Sequence, residues 1–189
     1  MKELSAPRND GEKQTPPTEI ERKFIISPSS LETIKDSLPL TEERKITQAY
    51  LEITDEREVR IRKTEKNGKV SYECTVKTKL DDDKNGLVRG EVTEAITAEK
   101  FDEAVKKHIG NVINKIRLAF ALDGNTLEVD VYQGDLEGLL SAEIEFNSTE
   151  ASENFETPAW LNHEVTDRKD FKNQQLALHG IPQDYLNLD

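Results

Sequence analysis

The chain has 189 residues, 34% of them hydrophobic and 34% charged, with 38 acids against 26 lysines and arginines for a formal net charge of −12. That length suits one sizeable domain, and that charge repels nucleic acid and anionic lipid at long range, so neither is an expected partner. The single cysteine, Cys74, excludes an intrachain disulfide framework, no run is apolar enough to span a bilayer, and no apolar segment near the first residue reads as a secretory signal, so a cytoplasmic protein is the expectation.

In chain order, residues 1–18 are polar, mixed in charge and hold three of the seven prolines, which predicts a disordered leader ahead of one domain over residues 19–189. That domain opens on "EIERKFII" (19–26), where Glu19, Glu21 and Lys23 fall on one face and Ile20, Phe24 and Ile26 on the other. "SPSSLETIKDSLP" (27–39) places Leu31, Ile34 and Leu38 on one stripe and predicts a helix stopped by Pro39. "QAYLEI" (48–53), "REVRIRKT" (57–64), "VSYECTVKTKL" (70–80) and "LVRGEVTEAI" (87–96) read as strands from their period of two and their β-branched and aromatic content. "TAEKFDEAVKKHIG" (97–110) opens on a Thr cap and ends at a glycine, as a helix does. Three further strands follow, "NKIRLAFAL" (114–122), "NTLEVDVYQ" (125–133) and "SAEIEF" (141–146). "STEASENF" (148–155) suits a short helix capped by Ser148, and "DFKNQQLALHGIP" (170–182) a last helix. "KNGK", "DDDKNG" and "LDGNT" carry the Asn-Gly and Asp-Gly signals of tight antiparallel turns. The class is α+β, mostly antiparallel β.

Charge recurs at i and i+2 along these strands: Glu19/Glu21/Lys23, Arg60/Arg62, Lys77/Lys79, Arg89/Glu91, Lys115/Arg117, Glu128/Asp130 and Glu143/Glu145. For one strand, an amphipathic sheet with its charged face in water explains the pattern. As a set, the pattern also suits a sheet curled into a barrel with this face inward. Unpaired charge there would be too costly, so the interior would hold either mutual salt bridges with water or a polyanion with divalent cations. Arg and Lys suit phosphate oxygens, and carboxylates suit Mg²⁺ or Mn²⁺. There is no Walker-type glycine loop, and His108, His163 and His179 are scattered without ligand spacing.

"EIERKF" resembles the ExExK signature of the CYTH superfamily, the triphosphate tunnel metalloenzymes, whose members include class IV adenylate cyclases, thiamine triphosphatases and inorganic tripolyphosphatases. "VRIRK", "CTVKTK", "LVRGEV", "INKIR", "LEVDVYQGDLEGLLSAEIEF" and "PAWLNHEVTDRKDFKNQQLA" are similar to further motifs of that family, in its order. The resemblance implies a closed antiparallel β-barrel, typically eight-stranded, with a few helices outside. It implies that Lys23, Arg60, Arg62, Lys77, Arg89, Lys115, Arg117 and Lys169 bind a triphosphate, and that Glu19, Glu21, Asp130, Glu143 and Glu145 hold Mg²⁺ or Mn²⁺. Glu21, Glu19 and Lys23 are its implied catalytic group, and Glu91 and Glu128 are secondary candidates. Two positions depart from the pattern: Thr93 stands where a second carboxylate is frequent, with Glu94 one residue late, and Asp170 stands where a basic residue is frequent.

The expected function is metal-dependent hydrolysis of a linear triphosphate, inorganic tripolyphosphate first. The alternatives are an organic triphosphate (thiamine triphosphate, a nucleoside triphosphate, or cyclase chemistry) and a non-catalytic polyphosphate or nucleotide binder. Trp160 and Tyr132 are read as packing before stacking platforms. The resemblance permits a monomer or a homodimer.

Overall fold

The computed structural model describes residues 20–79 and 89–185, without the side chain of Arg89. The leader, Glu19 and the "DDDKNG" turn lie outside the described residues. The elements run β1 (Ile20–Ile25), α1 (Pro28–Ser37), β2 (Leu40–Ile53), β3 (Arg57–Lys66), β4 (Lys69–Lys79), β5 (Arg89–Ala95), α2 (Ala98–Val105), β6 (Ile109–Leu122), β7 (Asn125–Gln133), β8 (Leu140–Phe146), α3 (Thr149–Glu153), β9 (His163–Glu164) and α4 (Asn173–His179). Short 3-10 turns lie at Gly134–Leu136 and Lys169–Phe171. All four expected helices form. Ser27, Thr97 and Ser148 cap the first three, each accepting a backbone N–H from three residues on. The hairpin tips Asn67-Gly68 and Asp123-Gly124 have positive φ at both residues (50° and 73°, 46° and 83°), as two-residue turns between twisted strands require.

The strands form one antiparallel sheet in the order β5-β4-β3-β2-β6-β7-β8-β1-β9. This corrects the expected closed eight-stranded barrel. Among the described residues the sheet has nine strands and stays open, with β5 and β9 as edges that do not pair with each other. The reason is visible at β1. Its outer edge is occupied by the returning C-terminal segment, where Phe24 and Ile25 pair with Glu164 and His163. Val165 N–H then donates to Lys23 O at 2.8 Å, and Lys23 N–H donates to Thr166 Oγ1 at 3.0 Å. A two-residue edge strand offers too short a ladder to carry closure.

The two faces differ. On one, α1 covers a core of Phe24, Ile34, Phe120, Leu127, Val129 and Ile144, and α2 covers Ala49 and Ile61 through Phe101. The other face carries the charges. At one end it is closed by an apolar floor, where Ile25, Tyr50, Ile113 and Tyr132 pack against Phe171, Leu176 and Ala177 of the C-terminal segment.

The floor depends on a close approach at Gly110. Its φ is +65°, and a Cβ there would stand 2.3 Å from the Ala177 carbonyl oxygen. Both the left-handed backbone and the missing side chain are therefore required. Gly110→Ala is expected to cost at least about 2 kcal/mol, read in a thermal melt as a fall in Tm of roughly 4–8 °C.

Candidate active site

The sheet register assembles the charged face. Lys23 lies opposite Glu143, which lies opposite Glu128. Arg117 lies opposite Asp130 on one side and Arg44 on the other. Gln48 lies opposite Arg62, and Tyr50 opposite Arg60. Glu58 and Glu91 flank Lys77. Because side chains two residues apart share a face, the pairs seen at i and i+2 become rows across the sheet.

Arg117 is the hub. Its Nε donates to Asp130 Oδ1 at 2.6 Å and its Nη2 to Asp130 Oδ2 at 2.7 Å, a bidentate fork. The same Nη2 reaches Glu143 Oε2 at 2.9 Å, and Nη1 donates to Glu128. Lys115 Nζ donates to Asp130 Oδ2 at 2.5 Å and lies over the Tyr132 ring. Lys23 Nζ donates to Glu143 Oε1 at 2.9 Å. Arg44 holds Glu128 at 2.6 Å and Glu42 at 2.5 Å. Towards β5, Glu91 takes Lys77 at 2.7 Å and Arg60 at 3.6 Å.

Burial sets the electrostatics. Asp130 is fully buried, which alone would raise its pKa, yet Lys115 and Arg117 hold it well below the usual carboxylate range. Burial likewise opposes ionisation of Glu143, and Lys23 and then Arg117 bring it down. Burial pushes Lys115 down to about 8 against the pull of Asp130, and pushes Arg62 down, aided by Arg60 and Arg117. Carboxylates depressed in the folded state contribute stability that is present above their unfolded values and lost as pH falls through the folded ones. Tm is therefore expected to hold from neutrality down to about pH 5 and to fall below about pH 4, where the unfolded carboxylates protonate first. A melt series across that range checks it.

Arg60 Nε is buried on this face and has no hydrogen-bond partner among the described residues. Unsatisfied buried groups are costly and call for an explanation, and a donor in a row of cations is placed for an anion.

The structure brings together Lys23, Arg60, Arg62, Lys77, Lys115, Arg117, Glu91, Glu128, Asp130 and Glu143 on this face, with Glu21 opposite Glu145 nearer its end. Arg89 occupies the position in β5 opposite Lys79. Lys169 does not join them. It is exposed on its 3-10 turn, and no described ion pair links it to the cluster. Its neighbour Asp170 pairs with Arg168 at 2.5 Å on the surface. The Thr93 departure is clear in the register: pairing of β4 with β5 runs without a bulge, so Glu94 lies on the opposite face. Thr93 Oγ1 and Thr75 Oγ1 share a hydrogen bond at 2.9 Å. Tyr132 is buried with its hydroxyl donating to Asn173, and Trp160 packs at the margin of the first core.

Sequence reasoning misses Glu42, Arg44 and Gln48. Glu42 and Arg44 lie in the first half of β2, "LTEERKIT", which lacks β-branched alternation at its start and does not read as a strand, while Gln48 opens the half that does and is passed over because it carries no charge. The available signal is the continued alternation Glu42, Arg44, Ile46, Gln48, Tyr50.

For a divalent metal the donor chemistry suits. Glu21 and Glu145 are like charges facing each other in register, an arrangement that destabilises a sheet unless cations offset it, and hard cations of the Mg²⁺ type prefer such oxygens. Among the described residues, however, no three His, Cys, Asp or Glu are already gathered to hold a metal. Asp130 and Glu143 are engaged by Lys115, Arg117 and Lys23. Their use as ligands requires those ion pairs to open.

A family model described as the CYTH domain matches residues 17–167. The chain belongs to the CYTH family. Among its CYTH relatives is an inorganic triphosphatase of Nitrosomonas europaea, 34% identical over 171 residues, covering 87% of this chain and 99% of that protein. Another is an inorganic triphosphatase of Acetivibrio thermocellus, 29% identical, covering 84% and 92%. A crystal structure of an inorganic triphosphatase superposes with a TM-score of 0.62 at 32% identity, covering 87% of this chain and 97% of that one. The triphosphatases of this family are metal-dependent, and no helix among the described residues is long and apolar enough to cross a membrane.

Proposed function

We propose that this CYTH chain is an inorganic triphosphatase that hydrolyses tripolyphosphate to diphosphate and orthophosphate on the charged sheet face, in the cytoplasm, with Mg²⁺ or Mn²⁺. The observation that carries the reading is a row of cations running across the sheet, from Lys23 on β1 to Lys77 on β4 through Arg117, Arg44 and Arg62, together with the relatives' activity. A linear polyanion matches such a row, and the carboxylates between the cations are unneeded by a pure anion receptor.

Glu19, Glu21, Asp130, Glu143 and Glu145 are the residues that would hold the metal. When bound, it neutralises phosphate oxygens. Lys23, Arg44, Arg60, Lys77 and Arg117 keep partial access to solvent and bind phosphate oxygens in place of their present carboxylate partners, and the half-buried Arg62, held by the Gln48 amide, binds them as well. Lys115 has no exposed side-chain surface and braces Arg117 through their shared Asp130. Glu21, exposed on the same face, accepts a proton from the attacking water or orients it. Water oxygen bonds to the terminal phosphorus, the bond to the bridging oxygen breaks, and the cations stabilise the departing diphosphate.

The test is phosphate release from tripolyphosphate, ATP and thiamine triphosphate, each with Mg²⁺, with Mn²⁺ and with chelator. Turnover is expected to be fastest on tripolyphosphate and to vanish with chelator. Preference for an organic triphosphate, or turnover indifferent to chelation, would count against the reading.

A further inference from the structure

Among the cations on the charged face whose side chains are described, all but Arg62 and the exposed Lys69 at the β3–β4 turn have a carboxylate within ion-pair distance. Arg62 has none among the described residues. Glu73 stands directly opposite it in the register of β3 and β4, yet no ion pair forms between them. Instead the Arg62 guanidinium is gripped by a neutral amide: Nε and Nη2 both donate to Gln48 Oε1, at 3.0 and 2.8 Å. Gln48 is itself fully buried, and its Nε2 donates to the Tyr50 hydroxyl at 2.9 Å. Arginine can only donate, so the amide oxygen must face it and the amide nitrogen must face the tyrosine. One side chain thus fixes the guanidinium in two hydrogen bonds and contributes no negative charge.

We infer that Gln48 is a positioning residue that orients Arg62 while leaving its charge uncompensated, making Arg62 the seat of highest positive potential on the face and the anchor for a phosphate group of the substrate. The inference rests on the tripolyphosphate reading above. A carboxylate at position 48 would grip Arg62 equally well. It would also present the anion that the site reserves for phosphate, so the chemistry of the position demands an amide. Beside it, Arg60 holds Glu91 only at 3.6 Å and leaves its Nε unpartnered, which extends the same donor surface by one row.

The test is the isosteric variant Gln48→Glu, assayed on tripolyphosphate with metal. It preserves the shape of the site and can accept from both Arg62 and Tyr50, so a merely structural role predicts an unchanged KM and an unchanged or raised Tm. The inference predicts a rise in KM of at least about tenfold, the scale of one charge-assisted phosphate contact (about 1.4 kcal/mol), exceeding any fall in kcat. In an Arg62→Gln background the same substitution is expected to have little further effect on KM, since its target is gone. Should Gln48→Glu not fold, Gln48→Asn withdraws the acceptor without adding charge and is expected to raise KM as well. An unchanged KM in the folded variants, or equal KM effects with and without Arg62, overturns the inference while leaving the activity standing. A wild-type protein that neither binds nor hydrolyses tripolyphosphate overturns both.

Discussion

Asp130→Asn is expected to destabilise the fold by about 3–5 kcal/mol. Asp130 is fully buried and is the counter-ion of two cations, Lys115 and Arg117. Arg117 keeps Glu128 and Glu143 when the charge is removed. Lys115, with no exposed side-chain surface, keeps no ion pair among the described residues. Its ammonium, already brought down to about 8 by burial, must then either lose its proton or remain buried and unpaired, and both are costly. Asparagine also turns an NH₂ donor towards groups that only donate. Urea unfolding at neutral pH reads the loss as a lowered midpoint. Glu128→Gln is the matched comparison, with an expected cost of no more than about 1 kcal/mol. Its partners Arg44 and Arg117 each keep another carboxylate. Equal losses in the two variants would contradict the buried hub.

The largest effect on catalysis is expected at Glu21. Glu21→Gln keeps the shape but removes the charge that the proposed mechanism assigns to a metal and the attacking water. A fall in kcat of about 10²–10⁴ is expected, the range for losing a positioned general base. KM for tripolyphosphate should change far less, because the cation row that binds phosphate remains. Lys23→Met is expected to show the reverse balance, a raised KM with a smaller loss of kcat. Its removal leaves Glu143 paired with Arg117, so the fold is retained. Steady-state kinetics of the two variants separate the roles, and matching changes in kcat and KM for both would show that they act as one unit.

Much of this arrangement is legible in the amino-acid sequence. The i, i+2 pairs of β3, β6, β7 and β8 state directly which side chains share a face, and all four helices announce themselves by stripes, caps and stops. What is not legible has physical causes. Local periodicity says nothing about whether two sheet edges meet, so the pattern suggests closure where an open sheet forms; a two-residue β9 held by Phe24 and Ile25 is below the length that any pattern reveals. The first half of β2 is a strand because β6 pairs with it from Glu42 to Thr47, not because of its own propensity. Which carboxylate belongs to which cation is tertiary information, since Glu143 and Arg117 meet across 26 residues of sequence. A search for charges also passes over Gln48, whose importance lies in having none.

The most direct measurement is a ³¹P NMR time course of tripolyphosphate with the purified chain, first with chelator and then with Mg²⁺ or Mn²⁺ in excess. The account predicts stable tripolyphosphate resonances under chelation. On adding metal, they should be replaced by diphosphate and orthophosphate in equal amounts. Tripolyphosphate that persists unchanged in the presence of either metal would contradict it.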